Sequence, residues 1–273
     1  MSRDKNTSRP PGLKTTVFWV SLSLIITAMG LALPLTVFGT TAAEPETRVL
    51  FIGNSLTYVG DLPRVFERIS AGNGHPVRTN MIAQAGATLT QHLAYPVTRH
   101  TLQDGGYDYV ILQERGGDVI CAFGPSSCED ARTALAEFAG LAASAGTTPI
   151  YLGTYQYAAA VSDALIAAEQ ELTDELDIAH VPISQALQQG LRKLPHARWL
   201  DVDGMHPGQD LTLLKAALIH ARIFAQLPAP IALSMDGQAV VAGSESQDEA
   251  DDSVESVSAV LNLLRVTAET DNQ

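Results

Sequence analysis

The sequence predicts a three-layer α/β/α sandwich built on a mostly parallel sheet. Short apolar, β-branched runs recur along the chain, and segments with helical spacing separate them. Gly, Asn and Pro punctuate the junctions. The first run, "RVLFIGNSLTYVG" (48–60), predicts a strand over Val49–Ile52 with both faces buried. Gly53 and Asn54 stop it, so Ser55 falls at the carboxyl end of a strand, the edge where open α/β sheets bind ligands. "LPRVFERISAG" (62–72) spaces Leu62, Val65, Phe66 and Ile69 as one helical face. "PVRTNMIA" (76–83) alternates as a second strand and runs into "QAGATLTQHL", and "YDYVILQE" (107–114) is the strongest strand signal. An Ala-rich helix over 129–145, a strand at "TPIYLG" (148–153) and a helix over 161–176 follow. "IAHVPI" (178–183) and "ARWLDV" (197–202) are expected as short strand-like segments, and "LTLLKAALIHARIFAQL" (211–227) as a long closing helix. Strand and helix in alternation imply βαβ units with helices on both faces.

The start of the chain reads differently. Arg3, Lys5, Arg9 and Lys14 precede an uncharged apolar stretch from Thr15 to Ala43, the pattern of an export signal. Small residues in "TTAAEPE" supply a cleavage region after Ala43, while the length of the stretch leaves an uncleaved membrane anchor as the alternative. Either way the folded part is expected outside the cytoplasm, periplasmic or extracellular, touching membrane only through residues 1–43. Beyond Ala43 stand 230 residues, enough for one α/β domain, with 13 Lys+Arg against 29 Asp+Glu. No basic stripe is present to neutralise phosphates, which argues against a nucleic-acid partner. From Ile231 onward there are nine acids and one Arg, so 231–273 is expected as an acidic extension. Its "SVESVSAVLNLLRV" spaces Val254, Val257, Leu261 and Leu264 as a terminal helix. Cys121 and Cys128, the only cysteines, lie in a Gly/Pro/Ser-rich stretch and in an oxidising compartment read as one local disulfide.

Two stretches carry chemistry. Ser55 at its strand end is the first. The second, "DVDGMHPGQD" (201–210), sets His206 three residues after Asp203 on a turn just before a helix. A carboxylate so placed holds one imidazole tautomer and stabilises the imidazolium. In the order Ser, Asp, His, the set of nucleophile, orienter and base is complete. The competing reading is a turn at Ser55 and an incidental helix cap at Asp203. The α/β-hydrolase elbow G-x-S-x-G is excluded, because Gly53-Asn54-Ser55-Leu56-Thr57 has no second glycine.

The pattern resembles the SGNH (GDSL-type) hydrolase superfamily over roughly residues 47–227. "GNSL" (53–56) stands for its first block, "AGATL" (85–89) for its second and "DGMHP" (203–207) for its last, and the first block looks like a GNS-type branch. The resemblance implies a flavodoxin-like sheet, a hydrolase domain over 44–230 and catalytic Ser55, Asp203 and His206. It also implies oxyanion donation by the N–H groups of Ser55 and Gly86, with no metal or organic cofactor. The third block departs: "ERGGD" puts Gly117 where the family has an oxyanion-binding Asn. Gln113 is the nearest carboxamide, expected either as a substitute donor or as a brace for loop backbone. Glu114 is read as structural, and Tyr155 and Tyr157 either line a pocket or pack a loop. His75, His92, His100, His180, His196 and His220 are scattered and expected in surface or packing roles. The implied partner is a small-molecule or glycan ester. Short acyl groups on carbohydrate or cell-envelope polymers are the expected substrates, with an acyltransferase on the same triad or a non-catalytic glycan-binding module as alternatives.

Overall fold

The computed structural model describes residues 46–229 and 258–262. The N-terminal apolar stretch and most of the acidic extension, including Val254, Val257 and Leu264, lie outside the described residues. Five strands form one all-parallel sheet in the order β2-β1-β3-β4-β5: β1 (Thr47–Gly53), β2 (Val77–Ala83), β3 (Tyr109–Leu112), β4 (Thr148–Leu152) and β5 (Ala179–Val181). Alternation along β1 sorts its side chains into two layers. Val49 and Phe51 join one apolar cluster, Leu50 and Ile52 the other.

The first layer is covered by α2 (Leu62–Gly72), α7 (Ile183–Lys193) and α8 (Gln209–Phe224). There Phe66 of α2 meets Phe51 edge-on, with ring centroids 6.1 Å apart; truncating Phe66 to Ala would cost about 3–5 kcal/mol. Residues 258–262 are helical, and Val260 and Leu261 are buried in this same cluster. The second layer is covered by α3 (Leu89–Ala94), α4 (Pro96–Asp104), α5 (Pro125–Ala145) and α6 (Ala159–Leu176). Termini follow local chemistry. Thr88 and Gln91 form a reciprocal capping box at the head of α3, and α5 ends where Gly146 turns left-handed at φ 70° and returns its N–H to Ala142 and Ala143.

Some segments differ from the sequence expectation. Helices α3, α4 and α7 were not anticipated; α4 starts at Pro96 and α7 directly after Pro182, prolines whose fixed φ suits a helix start. The segment 197–202 does not join the sheet, because its backbone is used locally. Leu200 makes a single antiparallel bridge with Pro207, and Gly208 N–H donates to Trp199 O at 2.9 Å. Trp199 is buried instead against Gly190 of α7, where a Cβ would collide with its ring. Among the described residues no helix is long and apolar enough to cross a membrane.

Candidate active site

The carboxyl ends of β1, β2, β3 and β4 release four chain segments along one edge of the sheet. Asn54 leaves β1 and caps the one-turn helix α1 (Ser55–Tyr58): its Oδ1 accepts from Leu56 N–H at 3.0 Å. Its Nδ2 donates to Ala87 O at 3.1 Å and to Gln113 O at 3.5 Å, tying the serine turn to the segments after β2 and β3. Gly53 allows the turn to close, since a Cβ there would collide with Thr57 Oγ1. Ser55 is half-buried at the head of α1, and its N–H has no acceptor among the described residues. The same holds for Gly86, which sits exposed with φ +65° in the turn after β2, so only a glycine relaxes there.

The loop before α8 carries the acid–base pair. Asp203 Oδ1 accepts from Met205 N–H at 2.9 Å and from His206 N–H at 3.0 Å. Its Oδ2 accepts from His206 Nδ1. The imidazole contact first, and then the two backbone donors, pull the Asp203 carboxyl down to about 2. With Nδ1 donating, Nε2 carries the imidazole lone pair. Both side chains remain open to solvent, His206 at 26% and Asp203 at 38%. Tyr155, two residues after Gly153 at the end of β4, donates its hydroxyl to Met205 O at 2.8 Å.

Helix α8, which starts at Gln209, is fastened to the serine turn. Lys215 Nζ donates to Leu56 O, and Thr212 fills the space beside Gly60. The serine turn and the helix into which the acid–base loop leads are therefore braced to one another. Ser55 Oγ and His206 Nε2 share no hydrogen bond in this structure; in unliganded sites such bonds are commonly long and tighten with substrate.

Beneath the turn is a buried polar floor that sequence reasoning only partly found. Gln113 Oε1 accepts from Thr57 Oγ1 at 2.8 Å and from Lys215 Nζ at 3.5 Å, while Gln113 Nε2 donates to Gly153 O at 3.3 Å. Both ends of its carboxamide are thus engaged below the serine, in the bracing geometry. Lys215 is fully buried, and burial lowers it to about 7. His92 donates from Nε2 to Gly53 O at 2.6 Å. Glu114 accepts from Leu89 N–H at 3.0 Å through Oε1 and from Arg115 N–H at 3.3 Å through Oε2, so it holds the head of α3 just beyond Gly86. Burial first, then the charge of Asp118, raises Glu114 to about 7.

The residues in place of the third block brace the loop. Arg115 clasps Asp118 with two bonds of 2.9 and 2.7 Å and lies 4.2 Å over the Phe123 ring. Cys121 and Cys128 form the disulfide that closes this loop, with Cα atoms 4.7 Å apart. Tyr157 is exposed and Tyr155 buried. Among the other histidines, His220 meets Ser70 Oγ at 3.0 Å, His75 stacks on Phe224 and His180 faces buried Glu169. Among the described residues no group of three or more His, Cys, Asp or Glu is placed to hold a metal.

Lys215 is the position missed; His92 packs, as expected, beneath the turn. The signal for Lys215 was present, a lone charge inside the apolar periodicity of "LTLLKAALI".

No family model and no curated protein sequence matches the chain. Solved structures do. A DUF4886 family protein from Bacteroides uniformis superposes with a TM-score of 0.60 at 12% identity, over 80% of this chain and 95% of that one. The lipase/acylhydrolase from Enterococcus faecalis gives 0.53 at 17% identity, over 66% and 97%. A mutant of Axe2, an acetyl-xylooligosaccharide esterase from Geobacillus, gives 0.53 at 15% identity, over 65% and 94%. At these identities the likeness is one of fold, and the fold is that of the SGNH hydrolases.

Proposed function

We propose that the protein is a serine esterase working through Ser55, His206 and Asp203. Ser55 Oγ attacks an ester carbonyl while His206 Nε2 takes its proton. The tetrahedral adduct then expels the alcohol, which leaves with that proton, and Ser55 is acylated. Water, deprotonated by the same nitrogen, releases the acid and restores the serine. Asp203 keeps Nδ1 protonated throughout and offsets the imidazolium charge. The observation that carries the reading is the Asp203–His206 pair, with its free Nε2, on the loop leading into a helix braced to the serine turn. The unengaged N–H groups of Ser55 and Gly86 are the proposed oxyanion donors. Gln113 is assigned to the floor beneath them, because both ends of its carboxamide already have partners.

The substrate is proposed to be a short acyl ester on carbohydrate or cell-envelope material. The open acid–base pair suits an ester borne on a polymer, and Axe2, of similar fold, is an esterase of acetylated xylooligosaccharides. The disulfide supports an oxidising, extracytoplasmic location. Residues 1–43 would direct export or tether the enzyme. A panel of chromogenic acetyl, butyryl and octanoyl esters, alongside acetylated glycans read for acetate release, tests the reading. No turnover of any ester by folded protein would reject it. The absent third-block Asn favours one other reading, a non-catalytic glycan-binding module, and that outcome would support it.

A further inference from the structure

We propose that Tyr155 is the positioning residue of the acid–base loop, its hydroxyl holding the Met205–His206 peptide so that the imidazole faces Ser55. The proposal rests on the serine esterase reading above.

The loop from Asp201 to Met205 is exposed along its whole length. Its internal bonds are plentiful: Asp201 N–H donates to His206 O at 2.9 Å, Gly204 N–H to Asp201 O at 3.0 Å, and Met205 and His206 N–H to Asp203. The Leu200–Pro207 bridge closes its neck. These contacts make the lobe rigid within itself, and its buried neck at Pro207 and Gly208 ties it toward α8. Among the described residues one hydrogen bond reaches residues 201–207 from elsewhere in the chain, from Tyr155 to Met205 O at 2.8 Å.

That bond acts on a particular peptide unit. The carbonyl of Met205 and the N–H of His206 belong to the same plane, and each end is pinned. Tyr155 holds the oxygen, and Asp203 Oδ1 holds the N–H at 3.0 Å. Fixing both ends sets the backbone from which the His206 ring projects. The anchor is itself built in. Tyr155 is 7% exposed. The preceding Thr154 gives its N–H and its hydroxyl to Glu169 Oε1 at 2.7 and 3.0 Å, and Glu169 is wholly buried. Gly153 O receives Gln113 Nε2 at 3.3 Å, and Gln113 in turn holds Thr57 of the serine turn. One stretch, Gly153–Tyr155, therefore joins the frame of the nucleophile to the frame of the base. Burial, with the charge of Asp203 adding to it, pushes the phenol well above its ordinary value, so it stays a donor at every working pH.

Tyr155→Phe removes the donor and leaves the buried ring. Its kcat for a chromogenic acetyl ester should fall about 10–100-fold, since small misplacements of a catalytic group carry costs of this order. KM should stay within about two-fold, and Ser55 labelling by a fluorophosphonate should slow by the factor seen in kcat. Hydrogen exchange in a peptide spanning 201–206 should quicken about ten-fold or more, a readout independent of turnover. Tyr155→Leu, lacking ring and hydroxyl, should lose more thermal stability yet show a similar kcat. Catalysis would then follow the hydroxyl and melting temperature the ring. If kcat in Tyr155→Phe stays within two-fold, if loop exchange is unchanged, or if kcat merely follows melting temperature across the two variants, the proposal is overturned. Wild-type protein inert to esters and to fluorophosphonate overturns the esterase reading and removes the catalytic role with it.

Discussion

Replacing Gln113 by Ala separates a floor from an oxyanion donor. In the structure the carboxamide satisfies Thr57 Oγ1 at 2.8 Å, Gly153 O at 3.3 Å and Lys215 Nζ at 3.5 Å, all at positions closed to water. Lys215 keeps its bond to Leu56 O, so two partners are left fully unpaired. At ~1–3 kcal/mol for each orphaned buried group, and with the small void added, the loss should reach roughly 3–5 kcal/mol. For a domain of this size that is a fall in Tm of roughly 6–20 °C, at about 2–4 °C per kcal/mol. A brace lost this way leaves kcat within a few-fold at temperatures where the variant is folded. An oxyanion donor lost instead lowers kcat by about 10²–10³. Thermal melts followed by circular dichroism, and kcat and KM on an acetyl ester at 15 °C, read both quantities from one preparation. A Gln113→Ala protein that melts like wild type but turns over a hundred-fold more slowly refutes the assignment and returns Gln113 to the oxyanion.

Ser55→Ala and His206→Ala should each lower kcat by several orders of magnitude, the double variant should add little, and Asp203→Asn should cost less; wild-type turnover by Ser55→Ala rules out the serine mechanism. Stability should pass through a minimum near pH 7, set by two buried groups of opposite sign. Between its ordinary 4.5 and about 7 the folded state keeps a Glu114 proton that the unfolded chain has released, so this contribution falls as pH rises. Asp118 deepens the effect, while Arg115 and two backbone donors oppose it. Between about 7 and 10.5 the unfolded chain keeps a Lys215 proton that the folded state has released, so stability recovers. Urea midpoints from pH 4.5 to 10 should show each limb as a few kcal/mol at most. Glu114→Gln should flatten the acid limb and Lys215→Met the alkaline one, and variants that track wild type at every pH disprove the assignment. Protein secreted into an oxidising compartment should have the intact mass of the Cys121–Cys128 disulfide; two cysteines alkylated before reduction contradict it.

What the sequence made legible was whatever depends on neighbours close along the chain. The apolar run ending at Gly53 fixed β1, and the pairing of Asp203 with His206 spans three residues, so a turn alone brings them together. The local staple of Cys121 and Cys128 was readable for the same reason. Gln113 was not, because its state depends on Thr57, Gly153 and Lys215, at 56, 40 and 102 residues' separation. Lys215 was hidden inside a helix whose periodicity marks it as core, and its partner is a backbone carbonyl with no sequence signature. Helices α4 and α7 escaped because their starts rest on prolines, Pro96 and Pro182, and Pro182 stands inside the strand-like 178–183, where it serves as a helix cap. The apolar rhythm of 197–202 was real, but Trp199 spends it on α7 rather than on a sheet face.

On the proposed mechanism, the exposure of the Asp203–His206 lobe bears on the fate of the acyl group that Ser55 would carry. Among the described residues the His206 side chain keeps 26% of its surface exposed, and on that side the imidazole meets solutes from bulk solvent. Water and dissolved alcohols would then compete for the acyl group on their abundance and nucleophilicity rather than by admission to a closed chamber. Added methanol or glycerol should divert acetyl from acetic acid to a new ester in proportion to its concentration, with total consumption of the donor unchanged where acylation limits the rate.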